Sequence, residues 1–273
     1  MAIIALARQV AAFGDEVGEA LAEKLNYKFV KRTDLEKRIV ELGFPESKMP
    51  KYDERKPGFF ASITKNRDDY FILTQYAVLE AAKNDNAVII GRGAFAILKN
   101  IPNVVSVRLV ADDPTRVKRL MDEFSWNEKQ ARQRITESDE NRNGFHKNFY
   151  NVDIGDPANF DMVLNTGIMD VQTCANVIAD YTKNKISPEN ESQGQLKIVQ
   201  LLKAQDVVKK LIFEYKIRIE FLHVTIEDNT AVLYGVSTSN AIVEQALKII
   251  HQELPEYEVK SAVSIVQEYK TFQ

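Results

Sequence analysis

Two stretches of this chain carry residues suited to handling phosphate, and they differ in kind. Gly91-Arg92-Gly93 closes a buried apolar run, Ala87 to Ile90. Small residues beside an Arg at the carboxyl end of a strand let its planar fork swing over an anion, and open α/β sheets bind ligands at that end. The alternative is a glycine-bounded turn whose Arg pairs with a local carboxylate; the strand-end position favours the fork. The second stretch runs Arg8-Gln9-Val10-Ala11-Ala12-Phe13-Gly14-Asp15-Glu16. It joins a strand-like segment, Ile3–Ala7, to a helical one, Asp15–Leu25, in which Val17, Leu21 and Leu25 share a face. At such a junction a GxxxxGK[ST] turn aims backbone N–H groups at phosphate and a Lys neutralises it. Here only Gly14 remains, and Asp15 stands where the cation belongs. Asp15 reads best as the N-cap of the helix. With Glu16 it could instead hold a metal that bridges to phosphate. Phe13 should resist the φ > 0 that glycine supplies in such loops, and should crowd a terminal phosphate.

These residues need a scaffold, and the hydrophobic pattern supplies one. Short apolar runs at Ile3–Ala7, Tyr27–Val30, Ala87–Ile90, Val104–Val110 and Met162–Leu164 alternate with helical segments over residues 1–185. That pattern predicts an α/β fold with a parallel sheet covered on both faces. Residues 186–195 are polar, contain Pro188 and Gly194, and read as an exposed linker. Residues 196–273 then follow an αββαβ order, with hairpin strands at Ile217–Ile226 and Ala231–Gly235. This part resembles a small BON-type domain.

Composition narrows the partners. Net charge is −3, so no polyanion-binding surface and no nucleic-acid partner is expected. No apolar run approaches the ~20 residues of a membrane span. One cysteine, Cys174, excludes an internal disulfide, and a cytoplasmic location is expected. Trp126 and Cys174 should pack.

From Val88 onward the sequence resembles the cytidylate kinase-like family of P-loop kinases. The resemblance rests on Val88-Ile-Ile-Gly-Arg-Gly-Ala94, Pro114-Thr-Arg-Val-Lys-Arg119, Glu128-Lys-Gln-Ala-Arg132 through Asp139-Glu-Asn-Arg142, and Gly155-Asp-Pro157 with Phe160-Asp161 and Asn165-Thr166. It extends over roughly residues 1–182. At the start Arg8 matches a family Ser-Arg step, while Ala11 and Phe13 occupy glycine positions and Lys31 replaces an Asp after the second strand. The resemblance implies a P-loop kinase sheet, ATP and Mg²⁺ as cofactors, and an anion-binding lid carrying Arg132, Arg134, Arg142 and Lys147. Arg92, Arg116 and Arg142 would clamp phosphates with Lys147 assisting, and Arg8, Gly14, Asp15 and Glu16 would face the cofactor. Gly91, Gly93, Arg132, Asp53 and Glu54 would contact the acceptor, the last two falling where the family has its monophosphate-binding insertion. His146 stands at an aromatic position and should serve shape. Asp161, Asn165 and Thr166 read as turn and cap residues.

Three functions are compatible with these residues. One is ATP-dependent phosphorylation of a nucleoside monophosphate or related acceptor. Another is a catalytically impaired kinase fold that binds or senses a nucleotide or other small anion, with the C-terminal domain engaging a protein partner or a second copy. The third is a scaffold without a ligand. Lid cations argue against the scaffold, and the missing loop cation argues against the kinase.

Overall fold

The computed structural model describes residues 2–52, 65–83 and 86–266. Asp53 and Glu54 lie outside the described residues. The chain divides into two compact units, Met1–Gln195 and Leu196–Gln273. In chain order the first contains β1 (Ile3–Arg8), α1 (Gly14–Leu25), β2 (Lys28–Val30), α2 (Arg32–Glu41), a 3₁₀ segment (Glu46–Tyr52) and α3 (Lys65–Ala82). It continues with β3 (Ala87–Ile90), α4 (Ala94–Ile97), β4 (Val104–Val110), α5 (Asp113–Phe124), α6 (Glu128–Tyr150), β5 (Met162–Asn165), α7 (Val171–Lys185) and the start of α8 (Pro188–Phe213).

The five expected strands are all present, each end within a residue of its expected place. They form one parallel sheet in the order β2-β3-β1-β4-β5. Their side chains explain why both faces are covered. Ile4, Leu6, Val88, Ile90, Val105 and Val107 meet α1 and α7 on one face, and Ile3, Ala5 and Ile89 on the other are as fully buried. Such double burial is what near-continuous apolar strands require. The fold is that of a P-loop kinase. Because β1 lies between β3 and β4, the carboxyl ends of these three strands surround the crevice where ligands sit in sheets of this kind.

At the far edge Asp161 fastens β5 to its neighbours. Its carboxylate accepts from the Ser106 amide at 2.8 Å and from Lys185 Nζ at 2.7 Å. Burial works to raise the Asp161 pKa, but the bonds from Lys185 and Ser106 outweigh it and hold the group below 3.8. A folded-state pKa below the unfolded one stabilises the protein above the unfolded value and ceases to do so as pH falls through the folded one. The stability gap between the native chain and Asp161→Asn is therefore expected to be full at pH 7 and to narrow below pH 3.8; a gap independent of pH in urea melts would contradict this.

The polar stretch read as a linker is helical from Pro188. Ser187 Oγ accepts from the Asn190 amide at 3.1 Å, and Asn190 Oδ1 accepts from the Ser187 amide at 3.1 Å. This reciprocal cap, with Pro188 in the first turn, is a helix start. Gly194 is there for contact rather than flexibility, since a Cβ on it would collide with the Asn103 side chain. Gln195 Nε2 donates to the Lys83 carbonyl at 2.8 Å. The exposed-linker expectation is thus corrected, and protease should spare residues 188–195.

The second unit continues with β6 (Glu220–Glu227), β7 (Thr230–Ser237), α9 (Asn240–Glu253) and β8 (Glu258–Ile265). β6 and β7 pair antiparallel, β7 and β8 parallel, forming a separate three-stranded sheet. Among the described residues no helix is long and apolar enough to cross a membrane.

Candidate phosphate-binding site

The loop after β1 turns through left-handed conformations at two residues that are not glycine. Ala11 and Phe13 both take left-handed conformations, at φ 58 and φ 51. Each costs an L-residue about 1–2 kcal/mol, and the structure shows what offsets it. Arg119 on α5 donates to the Ala11 carbonyl at 2.9 Å and to the Thr166 carbonyl at 2.6 Å. Its guanidinium lies 3.6 Å from the centroid of the Phe13 ring. A partly desolvated cation–π contact of this kind contributes about 0.5–2 kcal/mol, comparable to the strain at Phe13. The ring also packs against the main core. Phe13 therefore accommodates the loop conformation, contrary to the expectation from its type. Ala11→Gly should relieve the strain and raise stability by up to about 1 kcal/mol; a lower denaturation midpoint would count against the left-handed turn.

Helix α1 begins at Gly14, one residue earlier than expected, and its N-cap is Phe13, which makes no side-chain cap bond. Asp15 is consequently not the N-cap. It lies with Glu16 in the exposed first turn, where carboxylates complement the helix dipole. The first amides of the helix have no intrahelical acceptor, which leaves this end suited to an anion. Among the described residues no group of three or more His, Cys, Asp or Glu side chains could enclose a metal.

Arg8, at the end of β1, runs through the middle of this mouth. Its Cγ sits 2.6 Å from where a Cβ on Gly14 would stand, and its Nη1 3.3 Å from the same point on Gly91. The glycines at 14 and 91 therefore make room for the Arg8 side chain. Arg142, from α6, reaches the same mouth: both Arg residues line a small cavity with Gly91, Gly93, Phe95 and His146. The buried His146 ring bonds through Nδ1 to the Arg142 carbonyl at 2.7 Å and packs on Phe95, the shape-giving role expected of it.

Other expected site residues are elsewhere engaged. Arg92 is fully buried, pairs with Glu36 of α2, and donates to the Tyr52 carbonyl at 2.7 Å. Burial, with Arg32 and Arg8 nearby, pushes its pKa down to about 9, so it remains cationic at neutral pH. This is a glycine-bounded turn whose Arg pairs with a carboxylate on α2, not an exposed fork. Gly93 has a packing reason of its own, because a Cβ there would enter the Tyr150 ring, whose hydroxyl donates to the Arg92 carbonyl at 2.9 Å. Arg116 is buried between Asp139 and Asp113, at 2.8 and 2.5 Å, tying α5 to α6. Arg132 pairs with Glu128 at 2.7 Å on an exposed face, and Lys147 is exposed; neither lines a cavity at the mouth.

Sequence reasoning missed Arg108 on β4, which lines a second cleft beside Arg8 and Arg142. A signal existed, since an Arg in the middle of the apolar run Val104–Val110 must have a purpose to be tolerated there.

The cytidylate kinase-like family model matches residues 3–168, more than half of the chain. The chain belongs to the cytidylate kinase-like family. A cytidylate kinase of Pyrobaculum islandicum is 25% identical over 182 residues, which cover 66% of this chain and 92% of the relative. An uncharacterized protein from Eubacterium ventriosum, known from its crystal structure, matches with a TM-score of 0.53 at 24% identity, over 67% of this chain and 99% of that one. A shikimate kinase from Bacteroides thetaiotaomicron matches at 16% identity with a TM-score of 0.43, over 67% of this chain and 98% of its own. This member of the family thus has the kinase-like sheet, with a loop after β1 that lacks the Lys of a phosphate loop.

Proposed function

We propose that this protein binds the phosphates of a nucleotide, weakly and with the help of a divalent metal, as a kinase-fold sensing module with little or no phosphoryl transfer. The observation that carries the reading is the loop. Its left-handed turns at Ala11 and Phe13 keep an anion-receiving backbone, while the first helical turn presents Asp15 and Glu16 in place of a Lys. Phosphoryl transfer depends almost wholly on cations that position and stabilise the transferring group. Arg92 and Arg116 are committed to structural carboxylates, and Arg8 and Arg142 line the mouth. Mg²⁺ held by Asp15 or Glu16 would supply the missing positive charge to bound ATP. The C-terminal αββαβ unit would report occupancy to a protein partner or a second copy.

Family membership and the loop backbone also favour a second reading, ATP-dependent phosphorylation of a nucleoside monophosphate. Thermal shift with ATP, ADP, CMP and dCMP, with and without Mg²⁺, alongside a coupled turnover assay, separates the two. A ligand at 100 times its dissociation constant adds about 2.7 kcal/mol of stability. The sensing module predicts Mg²⁺-dependent shifts without turnover. Turnover of about 1 s⁻¹ or faster, within the ordinary enzyme range, would establish the kinase instead. No saturable shift with any nucleotide would overturn both.

A further inference from the structure

Among the described residues the two sheets present four edge strands, β2, β5, β6 and β8, and three of them are blunted. β2 has three residues and β5 four. β6 is interrupted by a bulge between Glu220 and His223, where Phe221 turns left-handed at φ 54. Short strands and bulges are the usual devices that keep a sheet edge from pairing with another chain. β8 has neither. It runs eight residues, Glu258–Ile265, in unbroken parallel register with β7. It contains no Pro, and no strand among the described residues pairs with its outer edge. Its one cation, Lys260, sits near the start of the strand, 3.0 Å from Glu258, and Ser261 to Ile265 carry no charge.

The ladder to β7 fixes which backbone groups that edge offers. The Glu258 and Val266 amides donate inward, to the Asn229 and Ser237 carbonyls at 2.8 and 2.9 Å. Alternate residues of a strand face the same neighbour, so Val259, Ser261, Val263 and Ile265 turn their N–H and C=O groups outward. The Val263 amide accordingly donates to the Ser261 hydroxyl at 3.2 Å rather than to β7. Ser261, Ala262, Ser264 and Ile265 are exposed, so the edge is open through its middle and far end.

We infer that this protein forms a two-fold dimer in which β8 pairs antiparallel with β8 of a second copy, about an axis at Ala262. That register sets Val259 opposite Ile265 and Ser261 opposite Val263, so the outward groups of both strands meet in hydrogen-bonded pairs. The Val259 contact covers Ile265, an apolar side chain otherwise 43% exposed. Lys260 falls opposite Ser264 and not opposite a second Lys. Glu258 and Lys260 neutralise each other within the strand, so two copies meet without net repulsion and the edge asks for no charged partner. With β6 blunted, the sheet extends from one edge alone, which closes the assembly at two chains, where two open edges would give a filament. The surface stands on this strand edge and does not rest on the nucleotide reading.

The test is sedimentation equilibrium of the full chain without nucleotide, over a range of concentrations. One strand edge covers less than the ~800 Å² per partner of a standard interface, so a dimer that dissociates in the micromolar range is expected. Ala262→Lys sets like charges face to face at the axis and should raise the dissociation constant about 10-fold or more. Ser261→Pro removes an outward N–H that β7 does not use, should have the same effect, and guards against the other variant failing to fold. Ala262→Cys places two thiols on residues with Cα atoms ~4.5 Å apart and should form an interchain disulfide on mild oxidation. The native Cys174 is buried and does not compete. Ser264→Cys, opposite Lys260 in this register, should not crosslink. A chain that stays monomeric throughout would overturn the inference and leave the edge to a strand of another protein. A dimer that Ala262→Lys and Ser261→Pro leave intact, or equal crosslinking of Ser264→Cys, would also overturn it. Dimerisation without any response to ATP and Mg²⁺ would leave this surface standing and refute the nucleotide reading, and a monomer that responds to ATP would do the reverse.

Discussion

Arg92→Ala is expected to destabilise the kinase-like unit by about 2–5 kcal/mol, the loss that follows when a large buried side chain and its hydrogen bonds are removed. The magnitude follows from what is left behind. Arg92 is wholly buried, and its removal leaves a cavity, an unpaired Tyr52 carbonyl, and a Glu36 carboxylate with Arg32 as its remaining partner. Against a total stability of roughly 5–15 kcal/mol for a domain, that loss is severe. Urea denaturation followed by the fluorescence of the single Trp126 reports on this unit alone, because Trp126 packs against α5 and α6 within it. A change under about 1 kcal/mol in Arg92→Ala would be that of a surface residue, and would restore Arg92 as a free anion anchor.

Why the sheet was legible and Arg92 was not comes down to the range of the interactions involved. Runs such as Ala87–Ile90 and Val104–Val110 identify buried parallel strands locally, because burial on both faces demands continuous apolar residues. The αββαβ order of the second unit is local in the same way. The partner of Arg92 is Glu36, 56 residues away on another element, and no spacing rule connects them. The loop was misjudged for a related reason. Residue type warned that Phe13 resists φ > 0, but the support from Arg119 comes from 108 residues further along, at the Ala11 carbonyl. Residues 186–195 show the opposite error. Polarity with Pro and Gly suggested a linker, when Ser187, Pro188 and Asn190 spelled a helix start and Gly194 was needed to clear Asn103. Of the candidate site residues named from the sequence, Arg8, Gly91 and Arg142 line one cavity, and Gly14 lies against the Arg8 side chain. Arg108 was visible only as an interruption.

Replacing Asp15 with Lys should raise the affinity for ATP in EDTA by roughly 30-fold. Asp15 is exposed in the first turn of α1, so its charge acts through solvent rather than through protein. At ~4 Å in water a unit charge changes the energy of a phosphate charge by about 1 kcal/mol, and reversing the sign doubles that to about 2 kcal/mol. Such a difference is roughly 30-fold in a dissociation constant. The substitution also takes a favourable carboxylate from the helix N-terminus, which costs about 0.3–1 kcal/mol of stability and should appear as a lower melting temperature in the absence of ligand. Mg²⁺ should matter less to the variant, because Lys would supply the charge that the metal brings to the native loop. Turnover need not follow, since one cation does not replace the clamp that transfer requires. Calorimetric titration of ATP into both proteins, with Mg²⁺ and with EDTA, gives the four affinities needed. If native protein binds ATP tightly in EDTA, Asp15 does not repel the triphosphate, and the loop reaches phosphate by some other route than a bridging metal.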